Sequence, residues 1–303
     1  MNRITTTNAI ALLALLGAST PCLAAPRSPG EHWVDVPHDG LTRRALVYVP
    51  ASVGLRKVPL VMVLHGGFGD PVGMRLSCGM DAVADREGFV VVYPEGLDGH
   101  WNDGREEQRG AQVADADDVG FLRGLVGTLV RRFEVDPERV YATGISNGSM
   151  MCHRLAVEAS DVIAAFMTVA GTIPRTVAAE NLPRPVPMLI VHGAEDPLCA
   201  WDGGDQTVSV QETVAEYVAR NRCRTETTTR LPNTDPRDGT QVLRTVHEGG
   251  RAPVVLLEVR GGGHTWPGGS GSSGREAIVG KASRDISASE EAWAFFADKR
   301  LAR

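Results

Sequence analysis

Val140-Tyr-Ala-Thr-Gly-Ile-Ser-Asn-Gly-Ser-Met-Met151 reads as a strand that turns directly into a helix. The strand is Arg139 to Thr143, the helix begins near Asn147, and the corner Gly144-Ile-Ser-Asn-Gly148 is a G-x-S-x-G. A serine hydroxyl is a weak nucleophile unless it is fixed, exposed and close to a base. A sharp strand-to-helix turn fixes it, lifting Ser146 above the sheet edge while the flanking glycines let strand and helix approach. The helix start also aims backbone N–H groups at the place where negative charge develops. The same residues would serve as a glycine-rich turn capping an ordinary helix, so the decision rests on partners elsewhere in the chain.

Working outward, the neighbouring segments alternate between strand and helix. His32–Val36 and Leu41–Val49 read as strands around a Pro37-His-Asp-Gly40 turn, and Pro59-Leu-Val-Met-Val-Leu64 is an apolar run suited to a strand buried on both faces. A helix is expected from Gly73 to Glu87, a strand at Phe89–Tyr93, a loop from Glu95 to Ala114, and a helix from Asp115 to Phe133. Asp136-Pro-Glu138 reads as the turn into the serine strand. Further strands are expected at Val162–Val169, Met188–Val191, Gln241–Val246 and Val254–Val259, with helices at Thr207–Asn221 and Ser287–Arg300. This order implies an α/β fold with a mostly parallel central sheet flanked by helices on both faces.

The serine's partners should follow later strands. Met188–Val191 runs into His192-Gly-Ala-Glu-Asp196, which places Asp196 at the sheet edge where Ser146 stands. Glu195, Asp202 and Asp205 are weaker rivals, and a turn or helix-cap role is the alternative for Asp196. The strand Val254–Val259 runs into Arg260-Gly-Gly-Gly-His264, whose glycines allow His264 to reach the serine. Ser146, Asp196 and His264 thus stand in nucleophile, acid, base order. An oxyanion hole needs two donors, here the N–H of Asn147 and that of Gly67, with Phe68 as the alternative to Gly67. Trp101, Trp201 and Trp266 fall in loops past strand ends, where they could form an aromatic platform for substrate or simply roof the core. His65 reads as a hydrogen-bonded strand-end residue, and Asp117 and Asp118 either shape the site or cap a helix.

Composition sets the remaining bounds. The chain has 303 residues, 43% of them hydrophobic, enough for one domain with a large core, and its net charge of −6 excludes a basic nucleic-acid footprint. Residues 1–24 read as a secretory signal peptide, with Arg3, an Ala9–Ala18 apolar run and a small-residue cleavage site, leaving residues 25–303 as one catalytic domain with no membrane anchor. Export makes disulfides possible; Cys78, Cys152, Cys199 and Cys223 allow three pairings, and buried free thiols are the alternative. His65, His192 and His264 lack metal-ligand spacing, so no metal is expected. Gly269-Ser-Gly-Ser-Ser-Gly274 matches a nucleotide-loop pattern but lies outside any βαβ unit.

The chain resembles the α/β-hydrolase superfamily, and within it the secreted polyhydroxybutyrate-depolymerase/feruloyl-esterase group. The matching pieces are Leu64-His-Gly-Gly67, Tyr93-Pro-Glu-Gly96 with Trp101-Asn102, Asp117-Asp118-Val119-Gly120, Gly144–Gly148, His192–Asp196 and Gly261-Gly-Gly-His-Thr-Trp-Pro-Gly268, in the group's order. The resemblance implies an α/β-hydrolase fold and hydrolysis of carboxylic esters on polymers or plant cell-wall conjugates, without a cofactor. The expected partner is an ester substrate, polymeric or small. A non-catalytic binding protein on the same fold is the alternative, and it would be expected to have lost a triad residue. Acyl and alcohol preference and oligomeric state are not encoded in any of these patterns.

Overall fold

The chain enters through an antiparallel hairpin, β1 (Gly30–His38) and β2 (Leu41–Val49). Asp39 and Gly40 turn it at φ of 48° and 72°, a two-residue corner with both φ positive, which suits the right-handed twist of the strands. The computed structural model describes residues 28–54, 56–106, 109–272 and 274–301, so the expected signal peptide lies outside the described residues.

β3 (Val58–Leu64) is buried along its whole length. Two helices follow, α1 (Pro71–Cys78) and α2 (Met80–Glu87), where one is expected, because Gly79 adopts φ +74° and a left-handed residue ends an α-helix. After β4 (Val90–Pro94), the long loop holds one short helix, α3 (Gly110–Val113), and leads to α4 (Asp118–Arg132), capped by the Asp117 side chain on the Gly120 N–H. β5 (Val135–Ile145) takes in the Asp136-Pro-Glu138 segment that the sequence presents as a turn. Then come α5 (Asn147–Glu158), β6 (Ala165–Val169), α6 (Arg175–Ala178), β7 (Met188–Gly193) and α7 (Val210–Asn221), the last opened by a Ser209/Glu212 capping box. β8 (Thr225–Arg230), β9 (Gln241–Glu248), β10 (Val254–Arg260), α8 (Glu276–Val279) and α9 (Ala288–Phe296) complete the chain.

The ten strands among the described residues form one sheet in the order β1-β2-β4-β3-β5-β6-β7-β10-β9-β8. The six central strands from β4 to β10 pair in parallel, and the outer pairs are antiparallel. One apolar layer packs α4, α5 and α7 on the sheet through Leu122, Leu125, Met151, Leu155 and Tyr217. The other packs α1, α2 and α9 on the opposite face, where Phe89 stacks on Trp293 at 4.2 Å and Tyr141 on Phe296 at 4.8 Å. Parallel pairing sets the C-terminal ends of β3, β5, β7 and β10 along one edge, so residues that leave those ends share one rim.

Candidate active site

Ser146 sits between β5 and α5 at φ 56° and ψ −122°, a combination that L-residues with a Cβ rarely adopt. The two glycines of the motif are there for space. A Cβ on Gly144 would lie 2.7 Å from the Gly148 backbone and 2.9 Å from the Leu64 oxygen, and one on Gly148 would lie 2.4 Å from the His65 oxygen. The corner therefore presses α5 against the end of β3, and the Ser146 side chain is thrust out at the rim.

Asp196 follows β7 in a tight turn. Its Oδ1 accepts from the N–H groups of Leu198 and Cys199, at 2.8 Å each, and its carboxylate faces His264, whose Nδ1 lies 2.8 Å from Oδ2 and 3.1 Å from Oδ1. The buried His192 donates from Nε2 to the Cys199 carbonyl at 2.8 Å, pinning the far end of the same turn. His264 leaves β10 on Gly261-Gly-Gly263. These glycines are obligatory: a Cβ on Gly263 would lie 2.1 Å from the Val279 oxygen, and one on Gly193 of β7 would lie 2.4 Å from the Gly262 oxygen. Burial alone would lower the His264 pKa. The hydrogen bond to Asp196, then the Cys199 side chain and the negative charge of both, more than offset this and raise it to about 10.

Ser146 and His264 line one cavity of about 550 Å³. Among the described residues Ser146 Oγ has no hydrogen-bond partner; bonds between nucleophile and base are often long before substrate arrives and tighten in the reacting complex. Gly67 and Asn147 line the same cavity, and among the described residues neither backbone N–H is bonded to an acceptor. Phe68 shares this property and stands at φ 61°. A hydroxyl, an imidazole held by a carboxylate, and unengaged N–H donors on one wall are the parts that acyl transfer needs.

The Asn147 side chain is locked by the loop after β4. Its Oδ1 accepts from the Trp101 N–H at 2.7 Å, and its Nδ2 donates to the Trp101 carbonyl at 3.0 Å and to Asp103 Oδ2 at 2.6 Å. Asp118 holds that loop in turn, accepting from the Asn102 N–H and from Arg43, both at 2.7 Å. Desolvation raises the Asp118 pKa, with the neighbouring Arg43 opposing it. Asp117 is instead the helix cap. His65 donates from Nδ1 to the Gly66 carbonyl and accepts the Gly96 N–H on Nε2, a neutral imidazole whose pKa burial lowers, as a strand-end role requires.

The three tryptophans do not form one platform. Trp101 is fully buried and donates to the His65 carbonyl, so it supports the site from beneath and cannot face substrate. Trp201 is half-buried against His192, away from the cavity wall. Trp266 does line the cavity, anchored by its Nε1 on Ser289 Oγ at 3.2 Å. Phe68, the alternative oxyanion donor, stands on this wall 79% exposed, and the wall also carries residues that no site motif singles out: His100, Leu198, Cys199 and the arginines 105, 109 and 275. Exposed apolar residues in a row of turns leave no periodic signal. A wider polar groove of about 950 Å³ lies beyond Gly268 and Ser272, lined by Arg237, Lys281 and Arg284, and contains none of the three candidate triad residues. All four described cysteines are unpaired, and no cluster of metal-ligating side chains occurs among the described residues. No helix among them is long and apolar enough to cross a membrane.

Residues 44–180 match the family model described as Esterase PHB depolymerase. The chain is 36% identical over 255 residues to NocK of Nocardia uniformis subsp. tsuyamanensis, a protein named as an esterase, covering 77% of this chain and 72% of that one. It is 31% identical to a bifunctional acetylxylan esterase/xylanase of Neocallimastix patriciarum, over 52% of this chain and 22% of the relative. A poly(3-hydroxybutyrate) depolymerase of Ralstonia pickettii is 30% identical over 53% of this chain and 36% of its own length. The chain thus spans less than half of the latter two. Among solved structures, an acetyl xylan esterase from Aspergillus awamori superposes with a TM-score of 0.56 at 17% identity, over 77% of this chain and 94% of that one, a likeness of fold. With a relative this similar over most of both chains, an α/β-hydrolase sheet and a matching family model, the chain belongs to the Esterase PHB depolymerase family and is a carboxylic ester hydrolase.

Proposed function

We propose that Ser146 attacks the carbonyl of a carboxylic ester while His264 takes its proton, with Asp196 orienting the imidazole and stabilising its charged form. The N–H groups of Asn147 and Gly67 receive the oxyanion, and water then releases the acyl group from Ser146. The protein acts outside the cytoplasm, its first 24 residues serving as an export signal, and works without a cofactor. Its substrate is a polyhydroxyalkanoate-type polyester or a feruloyl or acetyl ester of a polysaccharide. The apolar side chains of Phe68 and Leu198 on the cavity wall support an ester with substantial apolar surface.

One observation carries this reading: the 2.8 Å contact of His264 with Asp196 opens onto the same cavity as a serine on a strained strand-to-helix corner. The test is labelling by a fluorophosphonate probe together with turnover of a p-nitrophenyl ester. Wild type should be labelled at Ser146, and Ser146→Ala should lose labelling and at least roughly 10⁴-fold in kcat. Retained turnover in Ser146→Ala would remove Ser146 from the mechanism. Release of ferulate from methyl ferulate, set against clearing of a polyhydroxybutyrate film, separates the two substrate classes.

A further inference from the structure

A tight turn in the loop after β4 places His100. Asp98 and Gly99 stand at φ 50° and 70° between Leu97 and His100, and the His100 N–H donates to the Leu97 carbonyl at 3.0 Å. Both φ values are positive, the two-residue turn that an Asp-Gly pair favours. Glycines on either side make room for the ring: a Cβ on Gly67 would lie 3.2 Å from its Nε2, and one on Gly110 would lie 3.1 Å from its Nδ1. Nδ1 donates to the Asp98 carbonyl at 3.0 Å, which leaves Nε2 as the acceptor of the ring. His100 is 4% exposed, and its Nε2 is buried with no partner among the described residues.

A buried acceptor left unpaired costs stability, and folded proteins nearly always pair such groups. His153 Nε2 and His192 Nδ1 are also buried and unpaired, but only the His100 ring lines the cavity that holds Ser146 and His264. A polar atom so placed on a cavity wall is there to fix a group of the ligand. Sheet order decides which half of an ester reaches it. β4, which leads to His100, and β10, which leads to His264, lie on opposite sides of β5 and its Ser146. The leaving alcohol takes its proton from the histidine that serves as base, so it lies toward His264 and the acyl half lies toward His100. Gly67, whose N–H is proposed to receive the oxyanion, packs against Nε2, so the group that meets Nε2 stands close to the ester carbonyl.

We propose that His100 is a specificity-determining residue, whose Nε2 accepts a hydrogen bond from a free hydroxyl on the acyl half of the substrate, two or three bonds from the ester carbonyl. Nε2 has no contact with solvent in the free protein. Phe68 stands edge-on to the imidazole, ring centroids 4.5 Å apart, and at 79% exposure it is the neighbour free to swing aside and admit the hydroxyl. Feruloyl and acetyl groups carry no hydroxyl at that place. The acyl unit at the hydroxyl end of a polyhydroxyalkanoate does, whereas in internal units the same oxygen is esterified. The assignment therefore favours release of terminal units from that end of a polyester. It rests on the roles proposed above for Ser146 and His264, which set the direction in which the ester lies.

The test compares p-nitrophenyl 3-hydroxybutyrate with p-nitrophenyl butyrate, each kcat/KM divided by the rate of alkaline hydrolysis of the same ester. Wild type should prefer the hydroxy ester by at least roughly 10-fold. His100→Leu should bring the ratio to about one, and His100→Gln, whose amide oxygen can accept, should keep part of the preference. A general loss of activity cancels in the ratio, so a merely structural role for His100 would leave the ratio as it is in wild type. A wild-type ratio near one, or a preference that survives in His100→Leu, would overturn the proposal. If His100→Leu fails to fold, p-nitrophenyl 3-methoxybutyrate, which cannot donate, decides: wild type should treat it like the butyrate, and turnover matching that of the hydroxy ester would overturn the proposal equally. Turnover retained in Ser146→Ala would sink the mechanism proposed above and still leave this ratio readable, so the two failures stand apart.

Discussion

Ser146 combines φ 56° with ψ −122°, and such backbone geometry costs on the order of 1–3 kcal/mol in any residue but glycine. The strain persists because α5 and β3 pack tightly through Gly144 and Gly148, leaving the corner no softer conformation. Ser146→Gly should therefore be inactive yet more stable than wild type by about 1 kcal/mol, because glycine accepts the geometry freely. Ser146→Ala should show no such gain. Urea denaturation of both variants checks this, and equal midpoints for them would mean that the corner is unstrained. Gly148→Ala tests the packing instead. Its Cβ would meet the His65 and Leu64 oxygens at 2.4 and 2.6 Å, and a loss of about 3 kcal/mol or more is expected by the same measurement.

At the scale of elements, the loop from Trp101 to Asp103 is the part that fixes Asn147, and two buried carboxylates hold it. Asp103 binds the Asn147 amide and forms an ion pair with Arg105, while Asp118 binds Arg43 and the loop backbone. Asp118→Ala leaves Arg43, 5% exposed, with its charge uncompensated, and should destabilise the fold by about 3–5 kcal/mol in denaturant titrations. Asp103→Asn should act on turnover, lowering kcat by roughly 10²-fold with little change in KM, because Asn147 is expected to meet the oxyanion only as the reaction proceeds. A change confined to KM would place Asp103 in ground-state binding. This division of labour was only half legible in the sequence. The pair Asp117-Asp118 suits a cap or a site equally well on paper, and the structure gives one residue each role. Asp103 carries no motif of its own, since its partner Asn147 lies 44 residues away.

For the whole molecule, the parallel core was readable because strands buried on both faces are continuous apolar runs, as in Val58–Leu64. β8 was not, since Thr225–Arg230 is exposed throughout and shows no alternation. The positions of Ser146, Asp196 and His264 were readable for a related reason, each following directly on a buried strand. Cys199 was not readable as a lining residue of the cavity that holds His264, because that placement depends on how two loops fold over the rim. The pairing of His264 with Asp196 bears on how fold and reaction respond to pH in opposite directions. The folded-state pKa of His264, about 10, exceeds the unfolded value of 6.5. The folded chain thus binds the extra proton between those limits, and stability from this site is complete below pH 6.5 and lost as pH rises through 10. In the proposed mechanism, proton abstraction from Ser146 needs the neutral imidazole, so kcat/KM should instead climb across the same window. Cys199→Ser should move that acid limb to lower pH by removing one of the groups that hold the proton. Urea titrations and p-nitrophenyl ester kinetics from pH 6.5 to 10 measure both slopes, with His264→Gln as the reference for stability. If wild type and His264→Gln lost stability in parallel across that range, or if kcat/KM levelled off near the ordinary histidine value, His264 would not be holding its proton in the folded protein.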